Sequence, residues 1–227
     1  MKNLFADVAS YQRDDLGYFQ LLKSKGYKGV VVKVTEGDAQ GSAYVNPKWV
    51  NQALNALAAG MQVSVYHFAR YSSPENARAE ADFFLQQVLP FGFDQSTVFV
   101  VDCETNDYHL DGRTYEACTN AWLDEVRKHF KKTSVYASKS WFTNFINSHA
   151  FGDAIIWLAG YRIDSLGIDN AGAWQWDNGE ETGLGCDSSY DYEGSFTTSE
   201  TPSVQAPPQE EKIIKIQKGE KITIEGV

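Results

Sequence analysis

The stretch VFVVDCET, residues 98–105, runs four apolar residues and then sets Asp102 and Glu104 on either side of Cys103. Alternate residues of a strand share a face, so a strand over 97–104 projects both acids to one side, their Cα atoms roughly 6.5 Å apart, and turns Cys103 to the other. An unbroken apolar run suits a strand buried on both faces, as in parallel sheets, where functional groups gather at the strand ends. A strand end that simply leaves the core for solvent would also carry acids.

Similar β-rich runs lie around it: LFADV (4–8), GVVVKVT (29–35), QVSVYHF (62–68) and SVYAS (134–138). Helical patterns separate them. A weak one covers 15–25. In 47–60 the pattern starts at Pro47, ends at Gly60 and predicts Val50, Ala53, Leu54 and Leu57 as the inward face. Ser73 caps a helix over 73–89 that buries Ala77, Ala81, Phe84, Leu85 and Val88, and a third over 114–130 buries Tyr115, Cys118, Trp122 and Val126. After 138, AIIWLAGY (154–161), GAWQWD (172–177) and YDYEGSF (190–196) follow too closely for long helices. Five strand–helix units and three further strands predict one α/β parallel barrel, of TIM-barrel type, with an irregular last third. A doubly wound sheet competes, but the first strand carries no Gly-rich dinucleotide turn.

The chain of 227 residues is 43% hydrophobic and 14% aromatic, enough for a sizeable core. Its net charge of −10 excludes nucleic acid as a natural partner. No apolar run is long enough to span a membrane, and MKNLFADVASYQ does not read as a secretory signal. The three cysteines, Cys103, Cys118 and Cys186, read as small core residues, and the four scattered histidines lack metal-ligand spacing. Predicted domains are the barrel over 1–197, a Pro/Ser/acid-rich linker over 198–211 and a β-hairpin tail, or the start of a truncated module, over 212–227. That tail is open to docking or self-association.

In a parallel barrel the C-terminal strand ends share one face. That face is predicted to receive Asp7, Tyr66, His67, Arg70, Asp102, Glu104, Tyr136, Trp157, Tyr161, Trp174, Gln175, Trp176 and Asp191. Carboxylates walled by aromatic rings suit glycoside hydrolysis, which needs a proton donor, a negative group near the anomeric carbon and flat faces for sugar rings. Close acids also push one pKa up, keeping a proton available. Both tryptophans of 174–176 fall on one face and Gln175 on the other, so they suit packing as well as sugar binding.

The segments ADVASYQ, VYHFAR, VVDCE, VYAS, IWLAGY, AWQW and YDYEGSF, in this order, resemble the glycoside hydrolase family 25 muramidases over about residues 3–196. The resemblance implies a flattened (β/α)5β3 barrel and an N-acetylmuramidase acting on bacterial peptidoglycan without a cofactor or metal. It implies Glu104 as general acid, Asp102 as its carboxylate partner, Asp7 and Asp191 as two further acids, and Tyr66, Tyr136, Trp157, Tyr161, Trp174, Gln175 and Arg70 around the substrate. The last strand departs from the family pattern in carrying Glu193 where Asn is usual. Together with the missing signal, the resemblance implies a phage or prophage endolysin made in the host cytoplasm that reaches the cell wall after release. Two rivals are a wall-binding module without catalysis and a Mg²⁺ cage for phosphoryl chemistry; for the latter the sequence offers no phosphate cradle and no lysine in the required place.

Overall fold

In the computed structural model, which describes residues 3–39, 41 and 43–197, eight strands close into a barrel with helices packed outside. The elements in chain order are β1 (Asn3–Val8), α1 (Leu16–Ser24), β2 (Tyr27–Glu36), β3 (Tyr44–Val45), α2 (Trp49–Ala58), β4 (Gln62–Phe68), α3 (Pro74–Val88), β5 (Phe99–Asp102), α4 (Gly112–Arg127), β6 (Thr133–Ser138), α5 (Lys139–Asn144), β7 (Ile155–Ala159), β8 (Ala171–Asp177) and β9 (Asp187–Asp191). Around the barrel the order is β1-β9-β8-β7-β6-β5-β4-β2, closed by β1 against β2, and the short β3 hangs outside on β2. Every pair from β1 round to β8 is parallel; β9 alone in the ring runs antiparallel to both neighbours. The linker and hairpin expected over 198–227 lie outside the described residues.

Alternation on the staves builds two cores. Outward residues such as Val30, Val32, Phe99 and Val101 pack against α-helical Phe84, Trp122 and Val126, while inward Phe5, Val31, Val98, Val100 and Trp157 fill the barrel. The helices start where their caps are: the Ser73 hydroxyl accepts from Asn76 N at the head of α3, and the Asp111 carboxylate accepts from Thr114 N at the head of α4. Both bury the residues their spacing predicts, and all three cysteines are free and buried.

One helix face is corrected. In α2, Val50 and Leu54 are 40% and 41% exposed, and the buried side is Trp49, Gln52, Ala53 and Ala56. Counting large aliphatics misses this, because Gln52 goes inside as a polar strut whose Nε2 donates to Ala9 O at 2.8 Å, directly behind β1.

The lower end of the barrel is plugged. The turn after β9 folds back under the staves, Phe196 stacks on Phe5 at 4.5 Å, and Trp157 leans on both. The approach is so close that a Cβ on Gly29 would fall 2.0 Å from the carbonyl oxygen of Phe196, which makes glycine obligatory there. Asp191 holds the plug. Its Oδ1 accepts from the backbone N–H groups of Glu193, Gly194 and Ser195, and its Oδ2 from Phe196 N and the Thr197 hydroxyl.

Candidate active site

At the opposite end the barrel opens into a cavity of about 280 Å³ lined by Asp7, Asp102, Glu104 and Asp187, with Lys33, Tyr66, Tyr136, Trp157 and Gln175 between them. Asp102 is the last residue of β5, and Cys103 N still donates to Tyr136 O at 2.8 Å, so the extended course of the chain carries on past the formal strand end. The alternation therefore survives to Glu104. Both acids face the cavity, and Cys103 points outward to the hydroxyls of Tyr71 and Thr119.

Asp102 is buried and Glu104 stays open to solvent. The two carboxyl groups lie within hydrogen-bonding reach of each other. Burial raises the pKa of both; for Asp102, well above the usual carboxylate range, the Glu104 charge adds to it, while for Glu104 the hydrogen bonds from Tyr136 and Asp102 work against it. Each carboxyl therefore keeps its proton to a higher pH than it would alone in water. Lys33 pulls the other way on both, favouring ionisation.

The second pair of acids comes from β1 and β9, where Asp7 and Asp187 are direct partners in the antiparallel ladder. Gln175 ties them together from β8. Its Nε2 donates to Asp7 Oδ2 at 2.7 Å and to Asp187 Oδ2 at 3.3 Å, while its Oε1 accepts from the hydroxyls of Tyr136 at 2.8 Å and Tyr161 at 2.6 Å. Desolvation first, then repulsion by neighbouring acids, lifts Asp7 well above its ordinary pKa and Asp187 to about 6. Half-buried Tyr66 and buried Tyr136 have their hydroxyl pKa raised by desolvation and by these carboxylates, so they remain neutral hydrogen-bond donors.

Of the residues expected here, the structure brings together Asp7, Asp102, Glu104, Tyr66, Tyr136, Trp157 and Gln175, with Tyr161 at the rim. Trp157 belongs to the floor, its Nε1 donating to Ser189 Oγ at 3.1 Å. Five expected residues stand elsewhere, among them Trp176, which stacks on Tyr190. Asp191 is at the plugged end, because β9 is antiparallel and presents its first residue, Asp187, to the cavity. Trp174 lies on the outer side of β8 against Tyr190, its Nε1 donating to Gly160 O at 2.8 Å. Arg70 pairs with Glu36 and Asp107 outside the cavity lining. His67 also turns outward, to Thr35 and Glu80.

Among the lining residues that escaped the sequence pattern, two are charged. Asp187 was legible in principle: only nine residues, 178–186, separate β8 from β9, too few for the dozen or so of a usual parallel crossover, so the strand had to return antiparallel. Lys33, in the apolar run of β2, was not singled out by the sequence and also lines the cavity.

The cavity holds a carboxyl pair of raised pKa beside a second acid pair, with neutral hydroxyls and an aromatic floor, which is equipment for acid catalysis at an acetal carbon. No helix among the described residues is long and apolar enough to cross a membrane, and no group of three or more potential metal ligands occurs among them. A comparison with curated proteins found no significant match. Among solved structures, the chain is similar to the CTP1L endolysin at 27% identity and a TM-score of 0.69, over 85% of this chain and 67% of that one. It has the fold of a muramidase from Trichobolus zukalii (21% identity, TM-score 0.66, 83% of this chain and 93% of that one). It shares that fold with the Cpl-1 endolysin, solved with a peptidoglycan analogue (22% identity, TM-score 0.67, 84% and 54%). The sequence profile of the glycosyl hydrolases family 25 matches residues 6–183, most of the barrel, and the chain belongs to that family.

Proposed function

We propose that this glycoside hydrolase of the lysozyme type is an N-acetylmuramidase, cleaving the β-1,4 bond between N-acetylmuramic acid and N-acetylglucosamine in bacterial peptidoglycan. The observation that carries the proposal is the pairing of Asp102 with Glu104 in one cavity whose low-dielectric walls raise the pKa of both. Glu104, the solvent-open member, is the general acid that protonates the leaving oxygen. Asp102 is its partner. In the free protein the deeper burial of Asp102 favours the proton there; an acetamido N–H of the substrate donating to Asp102 would stabilise its ionised form and send the proton to Glu104. That arrangement leans toward assistance by the substrate's own acetamido oxygen. Asp7 and Asp187, rather than Asp191, are the further acids, and Gln175 with the hydroxyls of Tyr66, Tyr136 and Tyr161 completes the sugar-facing wall.

The likeness to endolysins supports a further part of the proposal, that the protein serves a phage or prophage in lysing its host, made in the host cytoplasm and acting on the wall after release. The test is Glu104→Gln together with mass spectrometry of muropeptides released from purified walls. Wild type should release fragments ending in reducing N-acetylmuramic acid, and the variant should lose about 10²- to 10⁴-fold in rate with its circular dichroism unchanged. Reducing N-acetylglucosamine ends, or near-normal activity of the variant, would refute the bond assignment or the acid role respectively.

A further inference from the structure

Lys33 is the one cation among the described residues that lines the cavity. A lysine inside a barrel stave needs a reason to be there, since burial costs the charge its hydration. The stave supplies one through a bulge. Between β2 and β4, Lys33 pairs with Tyr66 and Thr35 with His67, leaving Val34 as an extra residue; Lys33 and Glu36, three apart, are thereby turned to the same side. Lys33 Nζ sits 2.7 Å from Glu36 Oε2, with only 13% of the lysine side chain exposed. The ammonium also lies 4.6 Å from the Phe68 ring centre and 5.4 Å from that of Tyr44 on β3.

The chain of charges continues. Glu36 Oε1 accepts from Arg70 Nε at 2.6 Å, and an Arg70 terminal nitrogen donates to Asp107 Oδ2 at 2.6 Å. Asp107 belongs to the same loop as Glu104, three residues on. Alternating charges thus run from the cavity wall on β2 to the segment that carries the solvent-open acid.

We propose that Lys33 is a positioning residue of the cleft: held by Glu36 against Phe68, it stabilises the ionised member of the Asp102–Glu104 pair, and through Arg70 and Asp107 it anchors the loop bearing Glu104. The proposal rests on the muramidase reading for its consequence in catalysis, though not for its electrostatics. Asp7 from β1 and Asp187 from β9 face the pair as like charges. Tyr66, Tyr136 and Tyr161 face it as neutral hydroxyls. Without Lys33, four carboxyl groups would share the cavity with no opposing charge in its lining.

The test compares Lys33→Met with Glu36→Gln. Carbon-13 titration of side-chain carboxyls reads the acid pair directly, and the pH profile of wall lysis reads its effect on rate. Loss of the cation in Lys33→Met should move both the carboxyl titration and the acidic limb of the profile up by about one pH unit. Glu36→Gln removes the charge that partly neutralises Lys33 and should move them the opposite way, with Lys33→Arg close to wild type. Titrations that stay put in Lys33→Met and Glu36→Gln overturn the proposal, even if activity falls, because a purely structural lysine would lower the rate without moving the profile. If Lys33→Met does not fold, the downward shift in Glu36→Gln decides. Should wild type fail to cut walls at all, the muramidase reading falls and the carboxyl titrations still decide on Lys33.

Discussion

Strand β9 carries two aspartates four residues apart, both on the inner face of the barrel, and they live opposite lives. Asp191, at the plugged end, collects four backbone N–H groups and a hydroxyl. Asp187, at the open end, has the Gln175 amide at 3.3 Å and three other acids in the same cavity, and its pKa climbs to about 6. Residue type and face are the same, so neither makes a carboxylate reactive. What differs is the surroundings: with five donors around it the acid is a structural clamp, whereas Asp187, desolvated and then crowded by like charge, has its pKa raised and can trade a proton.

The two ends can be set against each other by substitution. The largest effect on rate is expected at the open end, in the Glu104→Gln loss described above. Asp187→Asn should follow with a drop of roughly 10- to 100-fold in wall-lysis rate, whereas Asp191→Ala should leave the rate per folded molecule within about twofold. On stability the order reverses. Removing Asp191 leaves buried N–H groups without an acceptor and should cost roughly 2–4 kcal/mol, read as a fall in Tm of about 5–15 °C. If Asp191→Ala kept its Tm and lost its activity, the division between the ends would be wrong.

A smaller, pH-dependent effect sharpens the contrast. Because the folded-state pKa of Asp187 is raised, the folded protein binds this proton more tightly than the unfolded chain does. The contribution to stability is therefore full below the unfolded value near pH 4 and is lost as pH rises through about 6. Asp187→Asn should accordingly be more stable than wild type at pH 7, by roughly 1 kcal/mol after solvent screening of this half-open group, with the difference vanishing toward pH 4 in urea titrations. Least of all should change in Trp174→Phe, which gives up one hydrogen bond to Gly160 on the outer side of β8: about 1 kcal/mol of stability and no more than twofold in rate. A large loss of sugar binding there would return Trp174 to the substrate face.

Much of the architecture was legible because local signals and packing agree. The apolar runs of β1, β2, β4, β5 and β6 lie largely buried, and the Ser73 cap with the spacing of α3 and α4 names their inner sides. The acid pair was legible for the same reason, since strand alternation survives past the end of β5. The failures share a cause in non-local geometry. Strand direction is a property of the connection rather than of the strand, so YDYEGSF drew attention to Asp191 and away from Asp187. The bulge at Val34 is visible only in the pairing with β4, and without it Lys33 and Glu36 fall on opposite faces. Gln52 in α2 is buried because Ala9 O waits for it, which no periodicity announces.

The packed base under Gly29 has a consequence for traffic. With Phe5, Trp157 and Phe196 filling the lower barrel, a polysaccharide has no tunnel to thread, and reactant, water and product must share a single doorway. Whatever bond is cut, the reacting sugar must come to the acids from above, and the barrel itself serves as a closed cup rather than a channel.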